Sequence, residues 1–268
     1  MRRRKHAEMQ ISEAQLSSLT QDLDDMHRAT LPKMQEAIAE LRSDEGASRR
    51  TFLFGAAGLT AGALVVVACG SDNNASNRAS GGIVTPSSSS SSSGGSGGGL
   101  TGDLAVAALA ASLENLAVQT YQAGLDAAAQ GKLGMVPPAI ATFATTVQMQ
   151  HKDHAAAWNS ILTGAGKPAV TGVDKTVQDA VVTPALANVH NVVDLAKLAL
   201  QLEDVAAATY LNGIQNVLQD VAGIKVSGSI QPVEMQHSAV LHLVLGDYPI
   251  PDSFAKVDGA RTPTDTIG

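Results

Sequence analysis

The sequence predicts an all-α protein whose folded part is a four-helix bundle with one long connection between its second and third helices. Two observations carry that expectation. The first is an internal echo. Leu113-Glu114-Asn115-Leu116-Ala117-Val118-Gln119-Thr120-Tyr121 returns 89 residues later as Leu202-Glu203-Asp204-Val205-Ala206-Ala207-Ala208-Thr209-Tyr210, matched at Leu, Glu, Ala, Thr and Tyr. Val147-Gln148-Met149-Gln150-His151 returns 86 residues later as Val233-Glu234-Met235-Gln236-His237. That order reads as two copies of one helical hairpin. The second observation is apolar periodicity. Ala107, Ala110, Ala111, Ala117, Val118, Tyr121 and Leu125 recur at helical spacing, as do Ala196, Ala199, Ala206, Ala207, Tyr210 and Ile214. Ile140, Val147, His151, Ala155, Trp158 and Leu162 make a third stripe, and Ile230, Val233, His237, Val240, Leu241 and Val244 a fourth.

The elements follow in order. Helix A is expected over about 102–130, stopped by Gly131 with Pro137-Pro138 soon after. Helix B is expected over about 137–163, ending near Gly164 and Gly166. A crossover to about 184 follows, with room for a short helix at 174–181. Helix C is expected over 185–222, ending at Gly223, and helix D from after Pro232 to Gly246. Residues 247–268, with Pro249, Pro251 and Pro263, read as an extended tail. The bundle, 102–246, is long enough to bury one core. Aromatic residues are few and alanines many, so the helices should pack closely.

From Cys69 to Gly268 the chain holds 13 Asp but only three Glu: Glu114, Glu203 and Glu234. Glutamate is a good helix former and a common solvating residue. Here all three sit inside apolar stripes. A lone buried carboxylate costs several kcal/mol unless paired or metal-bound. Three together need a cation between them. Glu234-x-x-His237 places a carboxylate and an imidazole on adjacent turns of one face, within reach of one metal pair.

One Glu from each of two helices, with Glu-x-x-His on the other two, resembles the dimetal carboxylate pattern of the ferritin-like superfamily. The resemblance is closest to exported bacterial ferritin-like domain proteins and covers residues 102 to 246. It implies a ferritin-like four-helix bundle with a long B–C crossover. It also implies a di-iron or manganese centre that oxidises Fe(II) or reacts with oxygen or peroxide. Carried over residue by residue, the metal ligands are Glu114, His151, Glu203, Glu234 and His237. The first hairpin departs from the pattern, because Gln148 stands where a glutamate is expected. Gln148 is a poor bridge, and His154, three residues beyond His151, is the candidate replacement. A mononuclear site and a metal-free polar network both stay open. Tyr121 and Tyr210 lie two turns from their glutamates on the same face, where each packs in the core or orients a ligand.

The segment before the bundle has its own logic. Ser48-Arg49-Arg50-Thr51-Phe52-Leu53 resembles a twin-arginine export motif. Phe52 to Ala68 is 17 residues without charge, short for a membrane span and suited to a signal core. Val66-Val67-Ala68-Cys69-Gly70 resembles a lipobox, with Cys69, the only cysteine, as the lipidation site. These motifs imply the twin-arginine translocase as partner and a lipid anchor on the outer face of the cytoplasmic membrane. An uncleaved anchor is the alternative. Residues 48–69 are therefore read as the signal and 70–101, with its Ser and Gly runs, as a flexible linker. Such a tether argues against a closed storage cage. Residues 1–47 read as a leader of two short amphipathic helices separated by Pro32, or as a start upstream of the true one at Met34. His27 is assigned there to the precursor, apart from the site.

Residues 1–68 carry nine basic and nine acidic side chains, and residues 69–268 carry nine and 16, a net −7. An acidic mature chain without a basic patch argues against nucleic-acid binding. The expected function is a membrane-tethered ferritin-like metal protein in stress protection. The alternative is a metal-free envelope module on the same fold.

Overall fold

The computed structural model describes residues 11–56, 100–250 and 252–263, with side chains within 41–56 excluded. Cys69, the segment 57–99 and the chain end lie outside the described residues. Those before Asp44 and after Gly99 form one compact unit. Glu45–Gly98 is a second unit, of which only the end of one helix is described. Among the described residues there is no strand, and no helix is long and apolar enough to cross a membrane.

The helices are α1 (Glu13–Ala56), α2 (Gly102–Ala129), α3 (Pro138–Gly164), α4 (Lys175–Val177), α5 (Thr183–Leu186), α6 (Val192–Asn212) and α7 (Val221–Leu245). Stretches with the wider π hydrogen-bond spacing join α4 to α5 (Gln178–Val182) and extend α6 (Gly213–Val217). The bundle is two antiparallel hairpins, α2 with α3 and α6 with α7. They meet through α2 against α6 and α3 against α7. Alanine explains the close approach. Ala107, Ala108, Ala110 and Ala111 are all buried on α2, packed with Trp158, Tyr210 and Val226. At Gly124 a β-carbon would stand 2.6 Å from Leu195 Cδ2, so only hydrogen fits there without a shift.

The crossover folds over the α2–α6 face. Val173, Val177 and Val182 pack on Leu116, Leu198 and Leu202. Polar clasps fix its path. Asn159 Oδ1 accepts from the Val170 amide at 2.7 Å, and Asn115 Nδ2 donates to the Val170 and Gly172 carbonyls. The buried Asp174 caps α4 by accepting from the Val177 amide at 2.7 Å, and it pairs with Arg261 at 3.0 Å. The Arg261 amide also donates to Thr209 Oγ1 at 2.9 Å. The described residues of the tail thus hold no regular element, as its prolines suggest, yet they are tied back to the bundle.

Helix C ends at Asn212 with a π extension to Val217 rather than at 222, and three further features differ from expectation. Helix C begins at Val192, not 185, because Asn191 and Asp194 form a capping pair. Asn191 Oδ1 accepts from the Asp194 amide, and Asp194 Oδ2 accepts from the His190 amide. Helix D begins at Val221 and runs through Pro232. Asp103, on α2, accepts from the Gln219 amide at 3.0 Å and the Asp220 amide at 2.5 Å, so a residue 116 positions away ends one helix and starts the next. Proline inside a helix loses one backbone bond and usually costs about 3 kcal/mol. Here Ile230, Glu234, His237 and Leu241 keep one buried face on both sides of it.

The third difference is the leader. Two short helices broken at Pro32 were expected, but α1 is continuous. Leu16, Thr20, Leu23, His27 and Ile38 are buried along one stripe that spans the proline. Leu16 and Leu23 join the cluster of Phe143 and Val147, and Ile38 joins that of Trp158 and Ile230. Packing along that stripe overrides the local break. Residues 13–40 therefore form a fifth helix of the same compact unit.

Candidate metal centre

The four bundle helices bring six titratable side chains to one buried point. Glu114 comes from α2, His151 and His154 from α3, Glu203 from α6, and Glu234 and His237 from α7. All but His154 are at most 2 % exposed, and His154 is 5 % exposed. They form two groups whose ligand atoms lie within 4.8 Å of one another: Glu114, His151, His154 and Glu234, and His151, Glu203, Glu234 and His237. His151 and Glu234 belong to both.

The distances define the geometry. His151 Nδ1 is 2.7 Å from Glu114 Oε2, and its Nε2 is 3.2 Å from Glu203 Oε1. His154 Nδ1 is 2.9 Å from Glu234 Oε1 and 3.7 Å from Glu114 Oε2. His237 Nδ1 is 3.2 Å from Glu203 Oε2 and 3.5 Å from Glu234 Oε2. Glu234 thus turns one oxygen toward each group. Neither of its oxygens has an aligned hydrogen bond, and nor does His154 Nδ1 despite its short approach. Buried polar atoms are nearly always satisfied. Glu234 Oε1 and His154 Nδ1 face each other out of line, and with Glu234 Oε2 they leave acceptor capacity for cations at the shared point of the two groups.

The surrounding residues orient these ligands. Tyr121 Oη donates to Glu203 Oε1 at 2.6 Å, and Tyr210 Oη donates to Glu114 Oε1. Tyr210 in turn accepts from Trp158 Nε1 at 3.2 Å and stacks on its ring, 1° from coplanar. Gln150, fully buried, places Oε1 2.6 Å from His237 Nε2, while its amide donates to the Leu23 carbonyl of α1. Gln150 Oε1 can only accept, so His237 Nε2 carries a proton and Nδ1 is the nitrogen left for a ligand role.

Electrostatics support one description of the metal-free cluster. Burial would raise the Glu114 carboxyl, but the His154 and His151 imidazoles outweigh it and hold Glu114 at about 2. Glu203 is likewise driven down by His151 and His237 against the effect of burial. Burial would lower His154, yet Glu114 and Glu234 push it up to about 9. His151 and His237 rise for the same kind of reason, with Glu203 the main partner. Burial first, then the carboxylates of Glu203 and Glu114, drive the Tyr121 and Tyr210 hydroxyls well up, so both stay protonated donors. Without metal, the lowered carboxyls of Glu114 and Glu203 and the raised imidazoles of His151, His154 and His237 favour protons on the histidines. Metal must displace those protons.

A pH dependence follows. A carboxyl lowered from 4.5 to about 2 stabilises the fold above 4.5, and the benefit is lost as pH falls toward 2. An imidazole raised from 6.5 to about 9 stabilises the fold below 6.5, and the benefit is lost as pH rises through 9. Urea midpoints of the metal-free chain should therefore be highest between pH 4.5 and 6.5 and fall toward 9. Metal affinity should rise over that upper window. Midpoints flat from 6.5 to 9 would contradict this electrostatic description.

Residues 102–247 match the ferritin-like domain family, more than half of the chain. The chain belongs to that family. Comparison with the curated proteins and with the solved structures gives no match. Within the ferritin-like domain, the structure brings together Glu114, His151, Glu203, Glu234 and His237, with His154 beside them. It does not bring in Gln148. Gln148 Nε2 donates to the Val118 carbonyl and Gln122 Oε1, and Lys152 Nζ donates to its Oε1, all on the outer side of α2 and α3. Two residues near the site escaped sequence reasoning. Gln150 carries no signal apart from its place in the echo beside His151. His27, expected to stand apart, is buried with its Nε2 2.9 Å from Asp153 Oδ2 and its ring 5.9 Å from that of His154.

Proposed function

We propose that this ferritin-like domain holds two iron or manganese ions and uses them in redox protection, oxidising Fe(II) with oxygen or peroxide. The observation that carries this reading is Glu234, fully buried, shared by both Glu/His groups, and with both oxygens lacking an aligned hydrogen bond. Three carboxylates bring −3 against +4 from two divalent ions, which leaves +1. That is a small residual charge for a buried centre. Mixed carboxylate and imidazole donors suit iron and manganese. A neutral imidazole gives one nitrogen while the other keeps its proton. Glu114 and His154 would hold one ion and Glu203 and His237 the other, with Glu234 and His151 within reach of both.

A bound pair would supply two-electron chemistry: two Fe(II) would give up one electron each, and with two protons from solvent these would reduce oxygen to hydrogen peroxide, or hydrogen peroxide to two waters. The chain's part is to hold and shield. Tyr121 and Tyr210 fix the carboxylate faces, Gln150 fixes the His237 tautomer, and the apolar stripes keep water out. Around this domain we place a twin-arginine signal at Arg49-Arg50 and a lipid anchor at Cys69. That arrangement would carry the folded domain to the outer face of the cytoplasmic membrane on the 70–101 linker. Its support is the order of motifs in the sequence: twin arginine, uncharged run, then the only cysteine.

Anaerobic Fe(II) added to the metal-free chain at two per chain, then exposed to air, tests the chemistry. Oxidation followed by near-ultraviolet absorbance should run at least about tenfold faster than in buffer, within the range that oriented groups supply. A rate equal to that in buffer would point instead to a ferritin-like module without catalysis.

A further inference from the structure

The buried cluster needs a way in, and three cavities approach it. A void of about 50 Å³ beside Tyr121 is walled by Ile140, Phe143, Ala144 and Leu241 and has no charged lining. A void of about 20 Å³ above Glu114 and His151 is roofed by Val177, Leu202 and Val205. Neither offers a cation a ligand before the cluster itself. The third is a groove of about 780 Å³ between α1 and the face formed by α3 and α7, and His154 lines its wall. His154 is also the least buried of the six candidate ligands.

Metal-ligating residue types grade inward along this groove. The Asp153 side chain is 33 % exposed, with Oδ2 2.9 Å from His27 Nε2, and the His27 side chain is 8 % exposed. The His27 ring lies 5.9 Å from that of His154, whose Nδ1 is 2.9 Å from Glu234 Oε1. We propose that a divalent cation reaches the buried centre through this groove, with Asp153 and His27 as a transfer site in front of His154. The inference rests on the metal reading above. Carboxylate and imidazole can share a divalent ion in passing, and His154 Nδ1 has no aligned partner of its own. Lys33 and Lys225 stand exposed at the groove wall and oppose a cation there. His27 belongs to α1, so the route exists only while residues 13–40 remain part of the chain.

Cobalt(II) mixed with the metal-free full-length chain tests the route, with uptake followed by visible absorbance in a stopped-flow instrument. Asp153→Asn and His27→Ala should each slow uptake about tenfold, and Lys33→Glu should speed it severalfold, as steering charges do. Final stoichiometry and spectrum should be unchanged. Asn is nearly the shape of Asp, so Asp153→Asn carries the test if His27→Ala melts early. Uptake by Asp153→Asn within twofold of wild type would overturn the route and leave the metal centre standing. Lost stoichiometry in that variant would make Asp153 a ligand and overturn its transfer role. A wild-type chain that takes up no cobalt would end the metal reading itself.

Discussion

Glu234→Gln should reduce a two-metal chain to one metal or none, and weaken any ion retained by at least on the order of 100-fold. Gln keeps the shape but removes the charge that both groups share. Changes to residues that merely support a metal ligand already cost about 10- to 100-fold in affinity, and Glu234 belongs to both Glu/His groups. With two carboxylates the balance against two divalent ions moves from +1 to +2 in a fully buried site. Elemental analysis with chelator competition reads the effect. Metal content equal to wild type would place any metal elsewhere in the chain.

Trp158→Ala should lower stability by about 3–5 kcal/mol, the usual cost of truncating a large buried aromatic residue. Trp158 is fully buried in the cluster that also holds Ala107, Ala111 and Tyr210. In a folded unit of this size that corresponds to a fall in melting temperature of roughly 6–20 °C. The site should loosen as well, because Trp158 supports Tyr210 by stacking and by the Nε1 bond, and Tyr210 donates to Glu114. Trp158→Phe should lose clearly less, since a ring remains to stack. Denaturant unfolding of both variants decides it, and a loss below about 1 kcal/mol for the alanine variant would contradict the packing described.

The echo of Glu114 in Glu203 and of His151 in His237 was enough to predict the two hairpins, their long connection and five of the six clustered side chains. Helical periodicity and glutamate scarcity act locally, so they can be read from one sequence. The choice between Gln148 and His154 could not. Both stand a turn from His151, on opposite sides, and which one faces inward depends on how α3 is rotated against α2. The structure turns Gln148 toward Val118 and Gln122 and His154 toward Glu234. The start of α7 was hidden for a similar reason, since Asp103 sets it from the other hairpin. Pro32 and Pro232 each suggested a break that continuous buried faces overrule. His27 gives no local signal of its place, because nothing in the sequence around it shows that α1 docks on the bundle.

Six Glu and His side chains that meet at one buried point should hold metal. Elemental analysis of the purified full-length chain, produced under iron supply and under manganese supply, tests it most directly. Between one and two ions per chain should be found in at least one of these conditions, lost on chelation below neutral pH as the imidazoles regain their protons. Less than about 0.2 ion per chain in both, well below one site per folded bundle, would contradict it.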